Sequence, residues 1–397
     1  MARFIMLRDD NAAPRAPVGR LPEEAPMFAA PPRPRLETHD MSPHDLRDAQ
    51  RDPSVLTLAR AMPTRLIEPE PLDDVREAEA EPAWGIEAIG ATLTDMTGAG
   101  VRVAVLDTGI DADHPAFTGV TLTRADFAGT GDQDANGHGT HCAGTIFGRD
   151  VAGTRIGVAR GVTEALIGKV LADDGRGSSE MLFDGMRWAA DQGAQVMSMS
   201  LGFDFPGLAE RLVEDGYPVL LATSVALEGY RMNLRMFDAL MDMFRAQAAF
   251  DGGSVVVAAS GNESRRQVSP DFEVGASVPA AAFGVISVGA LGQGEAGLSV
   301  APFSNSNPVL SAPGVGIVSA AAGGGLRALN GTSMACPHVA GAAALWWEAQ
   351  ARSGRPLTAA AVAARLQSSA TLAGLDPAAD RMDVGQGLVQ APPAAMG

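Results

Sequence analysis

The chain is poor in cysteine, in tyrosine and in positive charge. Two cysteines in 397 residues, Cys142 and Cys336, are too few for a disulfide scaffold, and neither sits in a zinc-type spacing. Lysine and arginine number 30 against 47 aspartates and glutamates, a formal charge of −17. That balance argues against nucleic acid as the main partner, because phosphate binding needs a basic face. Long apolar runs are missing too. The start, MARFIMLRDDNAAPRAP, lacks the roughly 7–15-residue apolar core of an export signal. The uncharged run from Val274 to Gln293 is broken by Pro279, Gly284 and Gly289, so it reads as buried strand and turn, not a membrane span. The expectation is a soluble chain, cytoplasmic as written, with no membrane partner. What it does hold is 46% hydrophobic residues, enough for a large core.

Residues 1 to about 80 differ from the rest. RFIML reads as a strand, APPRPRLE as a Pro-rich linker, and SPHDLRDAQRD as a short helix capped by Ser42 with Pro43 in its first turn. SVLTLARAMPTRLIEP reads as two further strands. EPEPLDDVREAEAEP, around Glu70–Glu81, is too acidic to bury much surface and reads as an exposed linker. From about residue 81 onward, short apolar runs bounded by glycines alternate with helical stretches. Examples are VRVAVLD, AQVMSMSLG, GGSVVVAASGN and FGVISVGAL. This alternation predicts an α/β domain with a mainly parallel sheet covered by helices on both faces. Such sheets place their sites at the carboxyl ends of the strands.

Several of those ends carry unusual residues. Asp107 ends VRVAVLD, and an acid there is costly unless something pairs with it. His138 and His141 stand in NGHGTHCAG, at a Gly-rich turn opening a helix. Asn262 leaves the strand VVVAASG. Ser333 opens the helix of NGTSMACPHVAG. Singly, each has a plain structural explanation: a turn, a solvated loop, an N-cap.

Taken in order, DTGID, NGHGTHCAGTI, SLG, AASGNES and NGTSMACPHVAGAAAL closely resemble the motifs of the subtilisin-like serine peptidases, the subtilases, from roughly Trp84 to Ala391. The resemblance implies a three-layer subtilisin-like fold at 81–397 and a propeptide-like α+β segment with its acidic linker at 1–80. It implies an Asp107–His138–Ser333 triad, with Asn262 as the oxyanion donor. A serine hydroxyl is a weak nucleophile at neutral pH and needs an imidazole to take its proton and a carboxylate to orient that imidazole. A catalytically silent peptide-binding protein of the same fold is the alternative, but such a module has no need of all four groups. A narrow processing protease is a variant of the first reading.

By the same resemblance, Ser200, Leu201 and Gly202 form one wall of the first specificity pocket. Ala259, Ser260 and Gly261 form the opposite wall. Ser277 stands at the floor before a cis Val278–Pro279 bond, and Glu263 stands at the rim, which favours medium-sized or basic side chains. Asp174, Gly175, Arg176 and Gly177 form an edge strand that pairs with substrate backbone. His141 and His338 are expected to be structural, and Cys142 to be a small buried residue one turn below His138.

Three departures from the family stand out. The interval after SLG carries an insertion at about 203–225, ahead of a helix with an apolar stripe at 227, 230, 234, 237, 241 and 244. Ala116 replaces a calcium-site carboxylate, and the loop 150–154 lacks the usual asparagines. No export signal is visible. The expected partners are a peptide or protein substrate and the chain's own N-terminal segment as inhibitor and chaperone, cleaved between Pro69 and Ala83. No metal or cofactor is expected in the chemistry, and a structural calcium has no assigned place.

Overall fold

The computed structural model describes residues 2–11, 34–71 and 83–394. Its centre is an eight-stranded sheet. Seven strands follow the order Gly297–Val300, Ile286–Gly294, Val255–Ala259, Val196–Met199, Arg102–Asp107, Glu164–Lys169 and Thr121–Asp126, and Leu310–Pro313 also pairs with Ile286–Gly294. All these pairings are parallel except that of Gly297–Val300.

The three layers follow from side-chain alternation along the strands. Val103, Val105, Val196, Val255 and Val257 enter one core with the helices His138–Phe147 and Thr332–Arg352. Ala104, Leu106, Met197, Met199, Val256 and Ala258 enter a second core with the helices Ser179–Asp191 and Val219–Asp251. Both faces of the central strands are therefore apolar, which explains the near-continuous hydrophobic runs in the sequence.

The insertion is a helical hairpin. Its first arm is Phe205–Glu214, and its second merges into the 33-residue helix Val219–Asp251. The expected apolar stripe is half right. Phe237, Met241 and Phe244 are buried, and Tyr230 and Leu234 are partly so, but Leu227 is exposed at 48%. The buried face there runs through Ala222, Ala226, Gly229 and Asn233, so Leu227 falls on the solvent side of the helix. Among the described residues, no helix is long and apolar enough to cross a membrane.

The N-terminal segment forms its own antiparallel sheet, Pro34–Met41, Ala2–Asp9 and Val55–Arg60 in that order. Ser42 caps the helix Pro43–Ala49 in a capping box with Asp45, a device contributing about 1 kcal/mol. The stretch read as a Pro-rich linker ends instead in a strand. Pro34 is tolerated there because it opens an edge strand. The sheet rests on the long helix, where Asn233 Nδ2 donates to Arg60 O at 2.7 Å and Met62 packs over Gly229. The long helix thus forms part of the seat of the N-terminal segment, and the insertion adds Asp204 N, which donates to Pro63 O at 2.9 Å. The expected acidic linker falls mostly on 72–82, outside the described residues.

Candidate active site

Asp107 ends a central strand and is 1% exposed. Its Oδ1 accepts from Thr108 N and from His138 Nδ1, both at 2.8 Å. Since Nδ1 carries the proton toward the carboxylate, Nε2 is left with a lone pair. That Nε2 is buried and has no hydrogen-bond partner among the described residues. His138 is the first residue of its helix, entered through Gly137 at φ 89°. Gly139 permits the approach of helix to strand, because a Cβ there would lie 2.3 Å from Gly109 O.

Asp134 carries no signal in sequence reasoning, yet it fastens this corner. It accepts from Thr108 Oγ1, from Gly137 N and Thr140 N, each at 2.8 Å, and from Thr140 Oγ1 at 2.6 Å. It therefore ties the strand end bearing Asp107 to the helix start bearing His138. An anion also suits a helix N-terminus.

Burial alone lowers the pKa of the His138 imidazole. The Asp107 carboxylate opposes this and prevails, holding the ring well above its usual range. The Cys142 thiol, 3.7 Å from His138 Nδ1, is itself pushed up by burial, so it stays neutral and adds no charge of its own. His141 and His338 behave otherwise. Burial pushes His141 down to about 3 and His338 down to about 4, and their ring nitrogens meet the carbonyls of Ile317, Arg327 and Met334.

Ser333 is the second residue of the helix Thr332–Arg352. Pro337 lies four residues on and has no N–H to return to the Ser333 carbonyl. Cys142 Sγ and Ser200 Oγ take that carbonyl instead, both at 3.4 Å. One thiol thus packs against both His138 and Ser333. Asn262 Oδ1 accepts from Thr332 N at 2.9 Å and Thr332 Oγ1 at 2.8 Å, which fixes the amide so that Nδ2 points into the cleft. Thr332, like Asp134, was not legible as a site residue.

The cleft is filled by the chain itself. Strand Pro63–Leu66 lies antiparallel between Arg176–Ser178 and Leu201–Phe203. Leu66 N donates to Gly175 O at 2.8 Å, and Ile67 N donates to Ser200 O at 3.4 Å. Ile67 is 4% exposed and borders Gly202, which in turn borders Ser277, while Val278–Pro279 is cis. Ser277 N donates to Ser260 O at 3.0 Å, and the Tyr230 hydroxyl of the long helix accepts from Val278 N at 3.0 Å. Of the residues expected as pocket walls and edge strand, Gly175, Arg176, Gly177, Ser200, Leu201 and Gly202 meet this segment directly, while Ser277 lies behind Gly202 and Ser260 behind Ser277. Asp174 is exposed and meets Arg176 within its own turn, accepting from its backbone N at 3.0 Å.

At the centre, Ser333 Oγ donates to Ile67 O at 3.1 Å, and Asn262 Nδ2 donates to Glu68 O at 2.9 Å. Past it, Glu70 N donates to Asn330 O at 3.0 Å, and Asn330 Nδ2 donates to Pro71 O at 2.9 Å. The peptide groups nearest Ser333 thus involve residues 67–69, at or before the start of the 69–83 window expected from the acidic stretch.

Asp107, His138 and Cys142 bring ligand-type atoms within 4.8 Å of one another. Oδ1 and Nδ1 are already engaged with each other, so this trio is read as a hydrogen-bonded pair over a thiol. At the two places where this sequence departs from the family's calcium-site pattern, Ala116 is fully buried and Asp150 pairs with Arg160 at 3.3 Å.

A profile described as the Subtilase family matches residues 98–387. Subtilisin BL from Lederbergia lenta is 35% identical over 268 residues, covering 66% of this chain and 82% of its own. An alkaline protease from Alkalihalobacillus alcalophilus is 32% identical over 312 residues, covering 77% and 67%. Subtilisin-like protease 1 from Trichophyton verrucosum is 28% identical over 330 residues, covering 78% and 68%. With its three-layer parallel-sheet fold and this match across most of its length, the chain belongs to the subtilase family of serine endopeptidases.

Proposed function

We propose that Ser333 is the nucleophile, His138 its general base and Asp107 the group that orients the imidazole, in an endopeptidase made with its own inhibitor. The observation that carries this reading is the peptide backbone lying at Ser333 and Asn262. In the reaction, Ser333 Oγ attacks the carbonyl carbon and gives its proton to His138 Nε2. The amide nitrogen then departs with that proton, leaving an acyl-serine. Water, deprotonated by the same imidazole, attacks the ester, the imidazolium returns the proton to Ser333 Oγ as it leaves, and the carboxylate is freed. Asn262 Nδ2 and the backbone N–H of Ser333, near a helix N-terminus, hold the oxyanion. Nucleophile, base and donors are all supplied by the chain, so no step requires a metal ion or cofactor.

The same contacts support inhibition by the segment 34–71. Asn262 holds the carbonyl of Glu68, but Ser333 Oγ bonds the carbonyl oxygen of Ile67. A productive complex needs both groups on one carbonyl. Glu68 precedes Pro69, a tertiary amide whose ring crowds the leaving side, so Glu68–Pro69 is a poor bond to break. Ile67–Glu68 becomes reactive once the Ile67 carbonyl swings into the place Glu68 now holds. Self-processing is assigned to that bond, and the bound segment resists it meanwhile.

Asn262→Leu tests the chemistry. The oxyanion forms only past the ground state, so kcat on a quenched peptide is expected to fall by about 10²–10³, with KM changed by less than about threefold. Circular dichroism and Tm serve as folding controls. An unchanged kcat in a folded variant removes Asn262 from the mechanism.

A further inference from the structure

The chain that fills the cleft carries a charge pattern, and the cleft carries its complement. Arg65 reaches two carboxylates from different elements: Asp204 at 3.7 Å and Glu263 at 3.5 Å. Asp204 opens the inserted hairpin, where its Oδ1 also caps Gly207 N. Glu263 follows the oxyanion asparagine directly, and Asn305 Nδ2 holds its Oε2 at 2.7 Å. Both acids are thus also held by neighbours outside the segment. On the other side of Ser333, Arg265 Nη1 bonds the carbonyls of Asn262 at 2.7 Å and Ser264 at 2.9 Å, and faces Glu70 at 3.4 Å. One cleft end is therefore acidic and the other basic, with an apolar pocket holding Ile67 between them.

We infer that the enzyme selects peptides by this polarity. The preferred substrate carries a cationic side chain two residues before the cleaved bond's acyl residue. That acyl residue is medium-sized and aliphatic, and an acidic side chain follows three residues after it. The determinants are Glu263 with Asp204 for the cation and Arg265 for the acid. The inference rests on the proposed reading of the cleft as the peptide-cleaving site. It also explains the inhibitor: the segment binds its own enzyme because Arg65, Ile67 and Glu70 satisfy all three preferences at once. The ion pairs are long, and Arg65 and Arg265 are each 46% exposed, so each contributes modestly. Reversal of a charge adds repulsion to the lost attraction, so about a three- to tenfold effect per position is expected.

The test uses the full-length enzyme and three quenched peptides copying residues 61–71. One is unchanged, one carries Arg→Glu at the position of Arg65, and one carries Glu→Arg at the position of Glu70. Ratios of kcat/KM between peptides on one preparation are independent of how much of it is blocked by its own segment. The unchanged peptide is expected to win by about three- to tenfold over each reversal, and the margin is expected to shrink in 0.5 M NaCl, where the Debye length drops to a few ångströms. On Glu263→Arg enzyme the Arg→Glu peptide should overtake the unchanged one, and on Arg265→Glu enzyme the Glu→Arg peptide should do so. A general structural defect lowers all rates together and swaps no preference. Cleavage of all three peptides within twofold on every enzyme overturns the specificity and leaves the peptidase standing. Cleavage of none, including an uncharged control peptide, overturns the peptidase reading itself.

Discussion

Ser333→Ala is expected to lower peptide hydrolysis by on the order of 10⁶-fold, a magnitude carried over from this enzyme family, and to abolish labelling by a fluorophosphonate probe. The size follows from the lack of a substitute. The neighbouring hydroxyls are engaged elsewhere: Ser200 Oγ bonds the Ser333 carbonyl and supports the serine's helix start from behind, Thr332 Oγ1 donates to Asn262 Oδ1, and the Thr108 and Thr140 hydroxyls donate to Asp134. The two cysteines offer no rescue: Cys142 is buried against His138 Nδ1, not Nε2, and Cys336 is pushed up to about 12 by burial. Removing one hydroxyl from a helix start leaves the fold in place, so Tm should stay near that of wild type. Hydrolysis that persists in a folded Ser333→Ala protein sinks the assignment, as does a probe adduct mapped to any other residue.

Asp107→Asn is the second large effect, about 10⁴-fold in kcat. The amide fills the same space, but its NH₂ can meet Nδ1 and favour the tautomer with the proton on Nε2, where a base is needed. It also removes the charge that lifts the imidazole. The base works only when neutral, so activity is lost as pH falls through the pKa of His138. With that value raised by Asp107 over the lowering due to burial, the acid limb of the wild-type profile should lie above about 6.5, the ordinary histidine value. In Asp107→Asn the lowering due to burial loses its largest opponent, so the residual activity should have its acid limb at lower pH. A pH profile of kcat/KM for both proteins reads this shift. A limb that stays put, or one below 6.5 in wild type, contradicts the role given to Asp107.

Much of this site was legible because its signals are local. Asp107, His138, Asn262 and Ser333 each stand at a strand end or helix start within a short motif, and the parallel sheet that gathers them shows in the glycine-bounded apolar runs. The parts that were not legible depend on contacts across the chain. Asp134 reads as an ordinary loop acid until its four hydrogen bonds are seen. Thr332 looks like a helix-capping residue, yet it aims the Asn262 amide 70 positions away. The strand at Pro34–Met41 was masked by prolines that an edge position accepts, and the exposure of Leu227 by a buried face that runs through its neighbours Ala226 and Gly229 instead. The acidic stretch drew attention to 70–81 because charge is conspicuous, whereas the segment in the cleft is the apolar Leu66–Ile67 just before it.

The proposed function is a triad peptidase closed by its own chain, with Ile67–Glu68 as the bond it cuts when it opens. Sequencing the N-termini of purified wild type and Ser333→Ala decides it. Wild type should yield a chain beginning at Glu68, while Ser333→Ala should keep the N-terminus it was made with. Wild type that stays intact while cleaving added peptides, or a mutant that is shortened to the same residue, contradicts it.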